Sequence, residues 1–392
     1  MTTDEAGDAP TLTIGVVGAG TMGAGIAQVC LQAGHDVQLF DVDHAAIERG
    51  RGRIADGLQR LVDKGKLPVD GRERMLAALR DAHTLEGLAE EADIVIEAAL
   101  EDLDLKETVF RALGSADAMP EILATNTSAL SITDIGDASG HADRVVGLHF
   151  FNPAPVMPLV EIVVGDRTSQ RTVDKATQFA RDVGKQPVVC RDSPGFIVNR
   201  VNRPFTLEAL RMLEAGEAGV EQVDRAVRSA GYPMGPFELM DLVGVDVNFA
   251  VAAAIWRGFD EAIRFTPSPI QRDLVEAGHL GRKTGEGFYR YQDGRPIAIA
   301  WQSTDGSLRY EEIVSRIELA IINEAYTAVG EGVAEPADVD RAMKLGANHP
   351  HGPFERAGQL GLRAVIEGLR SLEDRYGERF RIARTLWDIA SI

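Results

Sequence analysis

The chain has 392 residues, of which 41 are basic and 60 acidic, giving a formal net charge of −19, and 45% are hydrophobic. That length exceeds a single core and predicts two or three domains, while the apolar content is too high for a disordered chain. The acidic excess repels phosphate backbones and argues against nucleic acid as a partner.

The opening residues, MTTDEAGDAP, lack the basic flank and apolar run of a secretion signal, so 1–10 reads as a short disordered tail. Over 11–191, short β-branched runs alternate with longer helical patterns. Strands are predicted at 12–17, 36–40, 93–98, 122–125, 144–150, 159–164 and 187–190, with helical spacing between them, as in Leu105, Val109, Phe110 and Leu113. This alternation predicts a Rossmann-type doubly wound α/β sheet. The segment 44–67 is helical, charged and longer than a minimal crossover, and is expected to stand off the sheet.

Beyond 192 helical periodicity takes over and the sequence repeats itself. Residues 206–238 line up with 322–355 with one inserted residue, pairing Glu208 with Glu324, Asp224 with Asp340, and Gly235-Pro236-Phe237-Glu238 with Gly352-Pro353-Phe354-Glu355. Two tandem all-α domains are therefore expected, 192–297 and a degenerate copy over 298–392, joined around 293–306. The longest apolar stretch, 239–256, carries Asp241, Asp246 and Asn248, a load that a lipid-spanning helix does not tolerate, so no membrane partner is expected. Cys30 and Cys190 have no CxxC spacing, which points to a reducing compartment and a cytoplasmic location; no metal site is visible. His349 and His351, in NHPHG, read as part of a turn.

The first strand runs into Gly18, Ala19, Gly20, Thr21, Met22 and Gly23, a GxGxxG turn that opens a helix. In that context Gly18 permits the tight turn, Gly20 lets the backbone approach a pyrophosphate, and Gly23 allows close helix packing, with the helix N-terminus facing the anion. Asp41, at the end of the next strand, is placed to accept from an adenosine ribose and to repel a 2′-phosphate, which favours NAD over NADP. Farther on, three prolines separate His149 from Glu161 at facing strand ends, and a hairpin-like return would set carboxylate beside imidazole, the pairing a general base needs. By itself His149 would read as a satisfied core histidine, Ser128 as a helix cap and Asn199 as helix surface.

The motifs GAGTMGAGIAQ, EAALEDLDLK, TNTSALSIT, GLHFFNPAPVMPLVEIV, PGFIVNR, GPFELMD and GRKTGEGFY resemble, in order and spacing, those of the 3-hydroxyacyl-CoA dehydrogenases, including bacterial 3-hydroxybutyryl-CoA dehydrogenases. The resemblance implies NAD-linked interconversion of an (S)-3-hydroxyacyl-CoA and its 3-ketoacyl-CoA. It implies that His149 is the general base, Glu161 its partner, and that Ser128 and Asn199 hold the substrate oxygen and the nicotinamide region. It further implies cofactor contacts by Glu101, Lys106, Asn152 and Lys283, which on pattern alone would be surface charges and a turn asparagine. Arg60 and Lys64, with Lys66 close by, match positions that grip CoA phosphates.

The second copy departs from these motifs. Ser315 stands where Asn199 does, GPFELMD becomes GPFERAG, and nothing like GRKTGEGFY follows, so this copy is expected to lack an active site and to take the place of a homodimer contact. Two other readings stay open from the sequence: a dehydrogenase of a non-CoA hydroxy acid such as gulonate, and a non-catalytic NAD-binding or structural protein.

Overall fold

A computed structural model describes residues 11–301 and 306–390; the expected tail over 1–10 and part of the 293–306 joint lie outside the described residues. The chain divides into two compact units, Met1–Asp192 and Ser193–Ile392.

The first unit is built on eight strands: β1 (Thr13–Val17), β2 (Asp36–Phe40), β3 (Leu79–Asp81), β4 (Ile94–Glu97), β5 (Ile122–Thr125), β6 (Val145–Phe150), β7 (Leu159–Val164) and β8 (Gln186–Arg191). They lie in the order β3-β2-β1-β4-β5-β6-β7-β8, all neighbours parallel except the β6–β7 pair. The Val- and Ile-rich strands are buried along their length because helices cover both faces, as a parallel sheet requires. The chain leaves β1 for β2 on one side and returns to β4 on the other, so the ends of β1 and β4 form the crevice in which such sheets take ligands. The three-residue β3 escapes sequence reading because it is too short to show a period.

Helix α1 (Thr21–Gln32) follows the glycine turn, and α2 (His44–Asp63) follows β2. The expectation for the 44–67 segment is corrected here: α2 packs on the sheet unit instead of standing off it. Ile47, Ile54 and Leu58 are buried in its main core, and a Cβ at Gly50 would meet the Ala19 carbonyl oxygen at 2.9 Å. The physical reason is a stripe of small and aliphatic residues at helical spacing, which outweighs the charges on the opposite face.

The second unit contains both helical copies. Helices Arg203–Glu214, Val220–Ser229, Pro236–Val243 and Val245–Gly258 recur in order as Tyr310–Gly330, Pro336–Gly346, Pro353–Leu360 and Leu362–Tyr376. Each copy fixes its third helix with the same device. Asp224 accepts from the backbone N–H groups of Phe237 (3.0 Å) and Glu238 (3.1 Å), and Asp340 from those of Phe354 (2.8 Å) and Glu355 (3.1 Å). The first copy alone continues into a hairpin of β9 (Tyr289–Gln292) and β10 (Arg295–Ile299), which the sequence reading missed. No single helix among the described residues is long and apolar enough to cross a membrane; the apolar 239–256 stretch is bent by 102° between Val243 and Val245.

Candidate active site

The glycine turn sits at the C-terminal end of β1. Gly18 has φ 99°, a conformation only glycine adopts cheaply, and its N–H donates to the Phe40 carbonyl (2.8 Å), tying the turn to β2. Gly23 lies so near that a Cβ there would strike the Gly18 carbonyl oxygen, whereas a Cβ at Gly20 would project into open space. The α1 N-terminus has neither a side-chain cap nor an acid in its first turn, so its positive end is left for an anion. Asp41 accepts from the Ala19 N–H (2.8 Å) and the Asp43 N–H (3.0 Å), which fixes its carboxylate beside the turn. Open space at Gly20, an uncapped helix and a fixed acid fit a dinucleotide.

Across the crevice, β4 ends in Glu97, a fully buried carboxylate that sequence reasoning did not single out. It accepts from Lys106 Nζ (2.6 Å), Thr125 Oγ1 (2.6 Å) and the Ala99 N–H (2.7 Å). Lys106 is therefore no surface charge: it is 1% exposed and braces the loop after β4, with Glu101 3.6 Å away. Glu101 in turn accepts from Thr127 Oγ1 (2.7 Å) and the Ser128 N–H (2.7 Å), so the loop carrying Glu101 holds the loop carrying Ser128. An acid closing an apolar strand, with Lys nine residues later, was the available signal.

His149 and Glu161 are direct cross-strand partners in the β6–β7 pair. His149 Nδ1 lies 2.6 Å from Glu161 Oε2, with the histidine 4% exposed and the glutamate fully buried. The register explains the contact, since opposed side chains in an antiparallel pair share a face. Asn126 Oδ1 accepts from the Phe150 N–H (2.8 Å) and pins the end of β6; it too went unnoticed in the sequence. A neutral imidazole that donates from Nδ1 to a carboxylate carries its lone pair on Nε2, so the pair can take and return a proton.

Between α1 and α2 opens a cavity of about 440 Å³, lined by Arg53, Arg60 and Lys64 along α2 and by Pro153 and Pro155 from the loop after β6. Arg60 and Lys64 were singled out in the sequence, and Arg53, one helical face-repeat earlier, joins them. Asn152, immediately before Pro153, is exposed. Three cations against one acid, Asp56, give the groove a net positive lining suited to an anion.

Asn199 and Lys283 belong to the second unit. Asn199 lies in the helix Val198–Val201, and Lys283 Nζ binds both Asp246 carboxylate oxygens, at 2.6 and 2.7 Å. In the second copy Ser315 lines a separate cavity of about 270 Å³ together with Glu311, Glu318 and Arg356, the last two paired at 2.9 Å. His349 lies, as expected, in the turn between the helices Pro336–Gly346 and Pro353–Leu360, and it is buried there: it stacks edge-on to Tyr232 and its Nε2 lies 2.8 Å from Asn202 Oδ1.

A doubly wound sheet, a dinucleotide turn at its switch point and a buried acid–base pair define an NAD-binding oxidoreductase. The model of the 3-hydroxyacyl-CoA dehydrogenase NAD-binding domain matches residues 13–193, and that of the C-terminal domain of the same enzymes matches 195–291 and 313–391. The chain belongs to the 3-hydroxyacyl-CoA dehydrogenase family. It is 36% identical to 3-hydroxyadipyl-CoA dehydrogenase of Escherichia coli, over 94% of this chain and 95% of that protein. A 3-hydroxybutyryl-CoA dehydrogenase of Mycobacterium tuberculosis is 43% identical, over 71% of this chain and 98% of its own. Among solved structures, a 3-hydroxybutyryl-CoA dehydrogenase from Escherichia coli superposes with a TM-score of 0.89 at 35% identity, covering 98% of this chain and 99% of that one.

Proposed function

We propose that this protein oxidises (S)-3-hydroxyacyl-CoA to 3-ketoacyl-CoA with NAD, and catalyses the reverse, in fatty-acid or related acyl-CoA metabolism. The observation that carries this reading is the buried His149–Glu161 pair, 2.6 Å apart, in a unit that also holds the dinucleotide turn and the Arg53–Arg60–Lys64 groove.

When bound, the nicotinamide accepts or supplies the hydride. His149 Nε2 takes the proton of the 3-hydroxyl in oxidation and returns it in reduction. Glu161 holds the ring in the tautomer that leaves Nε2 basic and stabilises the imidazolium that forms. Ser128 and Asn199 are assigned the substrate oxygen on the family resemblance, and Glu101 supports Ser128 through its backbone N–H. Arg53, Arg60 and Lys64 take the CoA phosphates. General base catalysis of this kind contributes roughly 10²- to 10⁴-fold, and positioning supplies much of the remainder. Asp41 favours NAD over NADP because a 2′-phosphate beside its carboxylate would place like charges together.

The test is NADH absorbance with (S)-3-hydroxybutyryl-CoA, gulonate and free 3-hydroxybutyrate as alternative substrates, each with NAD and with NADP. Turnover of the thioester with NAD is the expected result. Turnover of gulonate alone, or none, overturns the reading, and a preference for NADP overturns the role given to Asp41.

A further inference from the structure

Lys185 is a lysine taken almost wholly out of water, 9% exposed, in the turn between the helix Gln170–Asp182 and β8. An ammonium removed from water needs acceptors for its N–H groups, and burial pushes this one below the ordinary lysine value. Its Nζ donates to the Ala154 carbonyl (2.6 Å) and to the Met157 carbonyl (2.9 Å). The next residue, Gln186, donates its N–H to the Pro158 carbonyl (2.7 Å). All three acceptors belong to one loop, 151–158, which joins β6 to β7.

That loop has few donors with which to hold itself. Pro153, Pro155 and Pro158 carry no N–H, and the N–H groups of Val156 and Met157 both go to the Pro153 carbonyl, at 2.9 and 3.0 Å. Pro153, Pro155 and Val156 line the cavity of about 440 Å³ that Arg53, Arg60 and Lys64 line from α2. Ala154, between the prolines, is 2% exposed and lies against α1, where a Cβ at Gly25 would meet Ala154 Cβ at 3.2 Å and Pro155 Cδ at 3.3 Å. The loop therefore rests on α1, is held by Lys185, and presents its prolines to the groove. Lys185 itself is not among the residues that line the cavity. The His149–Glu161 pair sits inside the strand ladder, which ends at Phe150 and Val160, so the loop begins beyond the pair.

We propose that Lys185 is a positioning residue for the substrate groove: by holding the Ala154 and Met157 carbonyls it fixes the proline wall at the distance from α2 that the phosphate-bearing end of the thioester requires. This rests on the 3-hydroxyacyl-CoA reading given above. Affinity for a nucleotide-bearing thioester depends on Lys185, and the proton transfer at His149 does not.

The test compares (S)-3-hydroxybutyryl-CoA with (S)-3-hydroxybutyryl-pantetheine, which keeps the reacting thioester and lacks the nucleotide with its phosphates. The wild type is expected to favour the CoA thioester in kcat/KM. K185M removes both hydrogen bonds at similar side-chain length and should lower that preference by about tenfold, through KM for the CoA thioester, while kcat and NADH affinity stay within about twofold of wild type. K185R, which keeps the charge and the N–H donors, should retain more of the preference than K185M. G25A reaches the same loop from α1: its methyl forces the loop to give by a few tenths of an ångström, while alanine suits a helix better than glycine, so the variant should fold and show a lowered preference. An unchanged preference in K185M, or a loss shared equally by both thioesters, overturns the proposal and leaves the reaction intact. If K185M no longer binds NADH, G25A decides, and an unchanged preference there overturns the proposal. A wild type that binds NADH but does not distinguish the two thioesters, or turns over neither, overturns the CoA reading, and this proposal with it.

Discussion

His149 and Glu161 show how little of a residue's role lies in its own chemistry. A carboxylate fully removed from water is tolerated because it faces an imidazole across a strand pair. Glu161→Gln keeps the shape and removes the charge that fixes the tautomer, so kcat should fall by about 10²- to 10⁴-fold while NADH affinity, measured by fluorescence titration, stays near wild type. A variant with near-normal turnover would take Glu161 out of the mechanism. His349 makes the second residue-scale case. It is neutral in the folded protein because burial pushes it down to about 3, against about 6.5 in the unfolded chain. Above pH 6.5 the ring is neutral in both states and stability is unaffected. Below it the unfolded chain takes up a proton that the folded one refuses, so stability falls by about 1.4 kcal/mol per pH unit on the way toward pH 3. Relative to His349→Gln, the wild type should therefore lose about 2 kcal/mol between pH 7 and pH 5 in urea unfolding. Parallel curves would mean that the ring is protonated in place.

At the scale of elements, the two helical copies meet through reciprocal buried ion pairs. Arg200 Nε lies 2.7 Å from Glu324 Oε1, and Arg316 Nε lies 2.8 Å from Glu208 Oε2. The repeat alignment maps Arg200 onto Arg316 and Glu208 onto Glu324, so one contact is the other turned about a pseudo-twofold, as in an isologous dimer. Burial alone would raise the Glu208 carboxyl, but the guanidinium groups of Arg211, Arg316 and Arg379 outweigh it and hold the group below its ordinary value. Fully buried Arg200 is bound by both Glu324 and Glu331. Glu324→Gln should destabilise the helical unit by about 3–5 kcal/mol, because it leaves Arg200 short of charge in a buried place. Glu367→Gln, which breaks the exposed Arg363–Glu367 pair, should change stability by less than about 1 kcal/mol. Equal effects on the unfolding midpoint would show that the central pair is solvated in solution.

For the whole molecule, we propose that the duplicated copy takes the place of a partner subunit. A helical copy alone would leave Arg200 without Glu324 and Glu331, Glu208 without Arg316, and the apolar helix faces that meet the second copy open to water. A tethered second copy meets the first at an effective concentration on the order of millimolar for a short linker, without a second subunit. A chain ending before Ala298 should therefore aggregate, or dimerise through the vacated face, in light scattering. If that chain is a well-behaved and fully active monomer, the second copy does not fill a partner's place.

The sequence by itself determined what is local or periodic. The strands at 36–40, 122–125 and 159–164 coincide with the observed β2, β5 and β7, because buried strands read as short, largely apolar runs between helical patterns. The glycine turn and the repeat were legible for the same reason, since backbone demands and duplicated segments leave their mark in consecutive residues. What only the tertiary structure decided depends on long-range proximity. Glu97 looks like any strand-end acid until Lys106 and Thr125 close on it. Arg53 is one of many charges on α2 until the cavity gathers it with Arg60 and Lys64. His349 reads as a turn residue, and only packing reveals that Phe205 and Tyr232 enclose it. Side chains far apart in the chain acquire a common environment through packing alone, and packing is set by the whole set of contacts, which no window of sequence contains.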